Sequence, residues 1–86
     1  MNDIRVLIVE DDARIADLHR RFTERVEGYA VVGVALGLAE AADMVASLGP
    51  DLVLLDLYFP EGNGMGLLRE IRSRCLETDV ILITAA

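Results

Sequence analysis

Apolar residues in this chain fall into two kinds of pattern. Near-continuous aliphatic runs at residues 4–9, about 29–35, 52–56 and 80–84 read as strands buried on both faces, as in a parallel sheet covered by helices. Between them lie stretches with a helical period. The first, about 13–27, carries Ile15, Leu18, Phe22 and Val26 at spacings of three and four, with Arg14, Arg21 and Arg25 elsewhere on its surface and Gly28 placed to end it. The second, about 38–48, is rich in alanine and stops at Gly49-Pro50, where glycine accepts a left-handed cap and proline cannot extend the helix. The third, about 65–75, sets Leu67, Leu68, Ile71 and Cys75 on one side, with Asn63 or Gly64 as its cap. The order β-α-β-α-β-α-β predicts right-handed crossovers and an open α/β parallel sheet.

Two of the strand runs stop on acid. Ile4–Val9 runs into Glu10-Asp11-Asp12, and Leu52–Leu55 runs into Asp56. In open α/β sheets ligands sit beyond the carboxyl ends of the strands, where strand order reverses. With the order 2-1-3-4, the first and third strands are neighbours and their ends bring Asp11 and Asp56 together. Such a gathering of carboxylates is costly unless a cation or a proton offsets the repulsion. Carboxylates with water and a backbone carbonyl suit octahedral Mg²⁺, which would neutralise charge while Asp56 attacks a phosphoryl group. Thr84, at the end of the fourth strand, offers a hydroxyl to a phosphoryl oxygen, and Pro60 with Gly62-Asn63-Gly64 shapes the loop after Asp56. Glu10-Asp11-Asp12 reads equally well as a helix cap, with Asp12 accepting bonds from the first free amides.

Size and charge narrow the function classes. With 86 residues the chain forms one domain at most, and its mean hydropathy of +0.41 requires either a large buried share or an uncovered apolar face. A net charge of −7, with glutamates interrupting the arginines of the first helix, argues against direct nucleic-acid binding. All eight basic residues are arginine. The single cysteine, Cys75, gives no internal disulfide, and no apolar run is long enough for a signal peptide or a membrane span. A cytoplasmic location is the expectation. His19, the one histidine, reads as a surface or boundary residue of the first helix.

Three separated motifs carry a resemblance. Val6-Leu7-Ile8-Val9-Glu10-Asp11-Asp12, then Asp51-Leu52-Val53-Leu54-Leu55-Asp56-Leu57-Tyr58-Phe59-Pro60 with Gly64, and finally Ile83-Thr84-Ala85, resemble the receiver domain of two-component response regulators. The Tyr-x-Pro after the aspartate and the Thr-Ala-Ala look like the subfamily whose sensors detect citrate and C4-dicarboxylates. The resemblance implies a flavodoxin-like, receiver-type sheet with Asp56 as phosphoacceptor and Mg²⁺ as cofactor. It further implies that Asp11 holds the metal directly, Glu10 holds it through water, Tyr58 offers its backbone carbonyl and Thr84 is the switch hydroxyl. The implied partner is a sensor histidine kinase, and the implied role is control of an attached DNA-binding transcriptional output rather than dedicated enzymology.

The family's fifth strand, with its lysine, and its last two helices have no counterpart in these 86 residues, which read as the N-terminal part of a single receiver without an output domain. The fourth strand is then expected to present a bare apolar edge and to invite self-association. One alternative follows: an interaction or oligomerising unit that does not carry phosphotransfer. A second, a phosphatase or dehalogenase with an aspartate nucleophile, expects another acid two residues after Asp56, where this chain has Tyr58.

Overall fold

Alternation within β1 (Ile4–Val9) divides the molecule into two cores. Leu7 and Val9 face one side of the sheet, and Val6 and Ile8 face the other. The computed structural model describes residues 3–74 and 77–83. Over these, β1 pairs in parallel with β2 (Tyr29–Ala35) on one side and with β3 (Leu52–Asp56) on the other. Two further short strands, β4 (Tyr58–Phe59) and β5 (Gly62–Asn63), form a separate antiparallel ribbon. The last strand, β6 (Asp79–Ile83), lies parallel to β3 and gives the sheet the order β2-β1-β3-β6. This is the 2-1-3-4 order expected from the sequence, with the hairpin interposed in the numbering.

The first face is the better covered. Helix α2 (Leu38–Leu48) contributes Ala41 and Val45, and α3 (Met65–Arg74) contributes Leu67 and Ile71, all packed with Leu7, Val9, Ala35, Val53, Leu55 and Phe59. Gly49 closes α2 in the left-handed conformation at φ 53°, donating its amide to the Val45 carbonyl, as the Gly-Pro signal predicts. Helix α3 is capped by Asn63, whose Oδ1 accepts from the Met65 amide at 3.0 Å. Cys75, expected on the same helix, falls outside the described residues.

Helix α1 (Ala13–Glu24) departs from its sequence reading. It ends earlier than residue 27 because the Arg25 amide turns back onto the Phe22 carbonyl, and Val26 donates to Thr23. Gly28, at φ +90°, then turns the chain into β2, and its carbonyl accepts from the Ile4 amide at 2.7 Å. The stripe Ile15, Leu18, Phe22 and Val26 does not enter the core. Phe22 is 55% exposed, and Ala16 is the residue α1 buries, against Val6 and Ile8. Leu52 and Leu54 pack only partly on this face, and Ile81 of β6 is 51% exposed. Periodicity identified the helix correctly but not what covers its apolar stripe.

Candidate functional site

The register that unites β1 and β3 builds the site. Val9 pairs with Leu55, so the next residues, Glu10 and Asp56, leave adjacent strands at the same level. The Glu10 amide still bonds the Ala35 carbonyl of β2 at 3.0 Å, which keeps this residue in the sheet plane before the chain turns. Asp56 is held from its other side. It pairs with Ile83, and the following Leu57 amide bonds the Ile83 carbonyl at 3.1 Å. Carboxylate oxygens of Glu10, Asp11 and Asp56 all lie within 4.8 Å of one another. The sequence expectation that these acids share one edge is met.

Their settings differ. Glu10 is 5% exposed, Asp56 is half-buried and Asp11 is exposed. Burial, together with the neighbouring Asp56 and Asp11 carboxyls, raises the Glu10 pKa from 4.5 to about 7, while the Asp12 amide, donating to Oε1 at 3.2 Å, opposes the shift. Among the described residues no arginine makes an ion pair with any of the three acids. The cluster therefore relieves its repulsion by holding a proton on Glu10 or by taking a cation. Its donors are all carboxylate oxygens, the set a hard divalent cation prefers.

Asp12 has the other role weighed for it. Its Oδ1 accepts from the Arg14 amide at 2.9 Å and the Ile15 amide at 3.4 Å, so it is the N-cap of α1. Those amides, with Arg14 beside it, hold its carboxyl below the usual range. Tyr58 lies against Asp56 through its backbone: its amide donates to Asp56 Oδ1 at 3.3 Å, and its ring is exposed. Thr84 lies outside the described residues.

The loop after Asp56 is more ordered than its glycines suggest. It folds as the β4–β5 hairpin, with Phe59 buried in the core and Gly62 at φ +141°. Gly64 donates to the Leu57 carbonyl at 2.6 Å, and a Cβ there would stand 2.9 Å from the Asp56 carbonyl oxygen, so only glycine allows this approach. Glu61, at the hairpin tip, was missed by the sequence reading. Its Oε2 accepts from the Leu38 amide at 3.0 Å, which caps α2 from across the molecule and keeps the Glu61 carboxyl below its ordinary range. No local pattern announces a cap supplied from 23 residues away.

Residues 6–86 match the family model described as the response regulator receiver domain. Among curated proteins the chain is 38% identical over 81 residues to the "Probable C4-dicarboxylate response regulator DctR" of Priestia megaterium, covering 94% of this chain and 36% of that protein. It is 39% identical over 83 residues to the transcriptional regulatory protein CitT of Bacillus subtilis strain 168, covering 96% of this chain and 37% of that protein. Among solved structures, the MaeR response regulator bound to beryllium trifluoride is 37% identical with a TM-score of 0.86, over 100% of this chain and 69% of that one. The chain thus spans little more than a third of the length of these curated relatives.

Proposed function

Because the chain belongs to the response regulator receiver domain family, we propose that Asp56 accepts a phosphoryl group from the phosphohistidine of a sensor histidine kinase, in support of transcriptional regulation. A receiver is a phosphoacceptor module, not a dedicated enzyme, and the phosphatase or dehalogenase reading falls with the family match. The observation that carries the proposal is the convergence of Glu10, Asp11 and Asp56 within 4.8 Å at the carboxyl ends of adjacent parallel strands. A relative is described bound to beryllium trifluoride, which has the shape and charge of a phosphoryl group, and this supports the same reading.

In the proposed reaction an Asp56 carboxylate oxygen attacks phosphorus, and the histidine nitrogen–phosphorus bond breaks in line with the attack. The imidazole leaves and takes up a proton, and Asp56 keeps the phosphoryl group as an acyl phosphate. Asp11 and Asp56 would hold Mg²⁺ with the Tyr58 carbonyl, and Glu10 would hold it through water. When bound, this ion offsets the negative charge that the acids and the phosphoryl group bring together. The chain's own contribution is positioning. β1 and β3 fix the acids, and the Tyr58 amide orients the Asp56 carboxylate through Oδ1. With its pKa near 7, Glu10 would have to give up any proton it still carries for the bound ion to be held through it.

A histidine kinase partner follows from the family, and a response to C4-dicarboxylates belongs to this proposal on the strength of the DctR match. We also propose that the edge of β6, the last strand of the sheet among the described residues, with Ile81 and Leu82 exposed on opposite faces, pairs with a second copy of this chain. No helix among the described residues is long and apolar enough to cross a membrane.

The test is incubation with Mg²⁺ and a small acyl-phosphate donor, followed by intact-mass measurement. An acid-stable, base-labile adduct of ~80 Da, absent in Asp56→Asn, is the expected outcome for a carboxyl phosphate. A folded chain that never gains the adduct would instead support an interaction unit without phosphotransfer.

A further inference from the structure

Helix α2 begins without a cap of its own. Its N-cap residue is Gly37, in extended backbone at φ −149° and ψ 159°, with no side chain to satisfy the first amides. The missing acceptor comes from the hairpin that follows Asp56, where Glu61 Oε2 takes the Leu38 amide at 3.0 Å. The two halves of this contact fit each other: a Cβ on residue 37 would already stand 3.4 Å from that same oxygen.

The base of the hairpin is held by the Leu57 amide on the Ile83 carbonyl and the Gly64 amide on the Leu57 carbonyl. Phe59 is buried against the α2 side of the core, Asn63 caps α3, and the Tyr58 amide reaches Asp56. Between Phe59 and Asn63 the tip is exposed, and Glu61 is the side chain that ties it to the body of the sheet assembly. The ribbon is only two residue pairs long, Tyr58 with Asn63 and Phe59 with Gly62. A ribbon this short is not stable alone and takes its geometry from what holds its ends. Tyr58 is thus anchored on its Asp56 side at the hairpin base, and the far side of the ribbon is fixed through Glu61 to the N-terminus of α2.

We propose that Glu61 is a positioning residue for the acidic site: by capping α2 it fixes the β4–β5 hairpin and, through it, the Tyr58 backbone beside Asp56. The inference rests on the reading of Glu10, Asp11, Asp56 and Tyr58 as an Mg²⁺-dependent phosphoacceptor site. Glu61 touches neither the ion nor the phosphoryl group. Its contribution is to hold a ligand-bearing loop in one geometry before binding, so that less ordering remains when the site fills.

The experiment separates this role from plain helix capping. Glu61→Ala removes the tether and the cap together. Glu61→Ala combined with Gly37→Ser restores a local cap, since extended backbone at residue 37 accepts any side chain and the alanine clears the space for it. Mg²⁺ affinity is read from titrated amide shifts, stability from urea denaturation, and the cap itself from hydrogen exchange at the Leu38 amide.

In Glu61→Ala the Leu38 amide exchanges faster and Mg²⁺ binds about threefold to tenfold more weakly, less than the loss expected for a partner bonded directly to a ligand. The double variant recovers stability and Leu38 protection but keeps the weakened Mg²⁺ binding. Glu61→Gln, which retains an acceptor oxygen, stays near the wild type. Unchanged Mg²⁺ affinity in Glu61→Ala would overturn the inference, and so would affinity that returns with stability in the double variant. Absence of Mg²⁺ binding by the wild type would overturn the underlying site reading, and is visible before any variant is made.

Discussion

Glu10→Gln is expected to make the metal-free chain more stable at pH 8, although it deletes a carboxylate from the family's acidic site. Glu10 is 5% exposed, and its pKa rises from 4.5 to about 7 on folding. A carboxyl whose folded pKa is raised binds its proton more tightly in the folded state. Its ionisation therefore costs stability above the folded pKa, and the cost fades as pH falls toward the unfolded value. The interval from 4.5 to about 7 corresponds to a penalty on the order of 3 kcal/mol at pH 8. Glutamine removes the charge but still offers an oxygen to the Asp12 amide, so the turn into α1 keeps its bond. Urea denaturation followed by far-ultraviolet circular dichroism should then place the variant about 2–3 kcal/mol above the wild type at pH 8, and within ~1 kcal/mol at pH 5. Adding Mg²⁺ at pH 8 narrows the gap by stabilising the wild type more than the variant. A gap of equal size at both pH values, or a variant less stable than the wild type at pH 8, would refute the electrostatic reasoning.

Other outcomes follow from the same geometry. Lowering pH from 8 to 6 weakens Mg²⁺ binding, because Glu10 takes up a proton across this range, and calorimetry in buffers of different ionisation enthalpy detects the proton released on binding at the lower pH and little release at pH 8. Gly64→Ala sets a Cβ 2.9 Å from the Asp56 carbonyl oxygen and 3.1 Å from Leu55 Cδ1, and costs about 1–3 kcal/mol in urea denaturation while also weakening Mg²⁺ binding. Ile71→Ala, at a fully packed position of α3, costs roughly 2–5 kcal/mol by the same measurement. At micromolar concentration the chain sediments as a species larger than a monomer, and Ile81→Lys returns it to the monomer; a wild-type monomer would argue against pairing through β6.

Most of the fold was legible because the strands announce themselves. The expected runs 4–9, 29–35 and 52–56 coincide with β1, β2 and β3, since buried parallel strands must be apolar on both faces. The expected order 2-1-3-4 is the one observed, and with it comes the meeting of Glu10, Asp11 and Asp56. What escaped was anything settled by contacts between distant segments. The hairpin after Asp56 is two short strands whose residues, among them Gly62 and Asn63, signal only a turn. Ile15, Leu18 and Phe22 show the spacing of a core stripe, yet Ala16 is what α1 buries, because periodicity gives a helix its apolar side without giving it a partner. Glu61 was invisible for the same reason: its acceptor role exists only once the loop and α2 are side by side.

The separation of core from acids explains how the site tolerates its own repulsion. Leu7, Val9, Val53 and Leu55 are almost completely buried immediately behind Glu10 and Asp56, so the strand ends cannot splay to relieve the charge. The cluster must instead recruit something from solution, a proton or a cation. Glu10, the most buried member, has its pKa raised to about 7 by that burial and by its neighbours, while Asp56 stays half-buried. On this view the division of labour among the acids is set by depth.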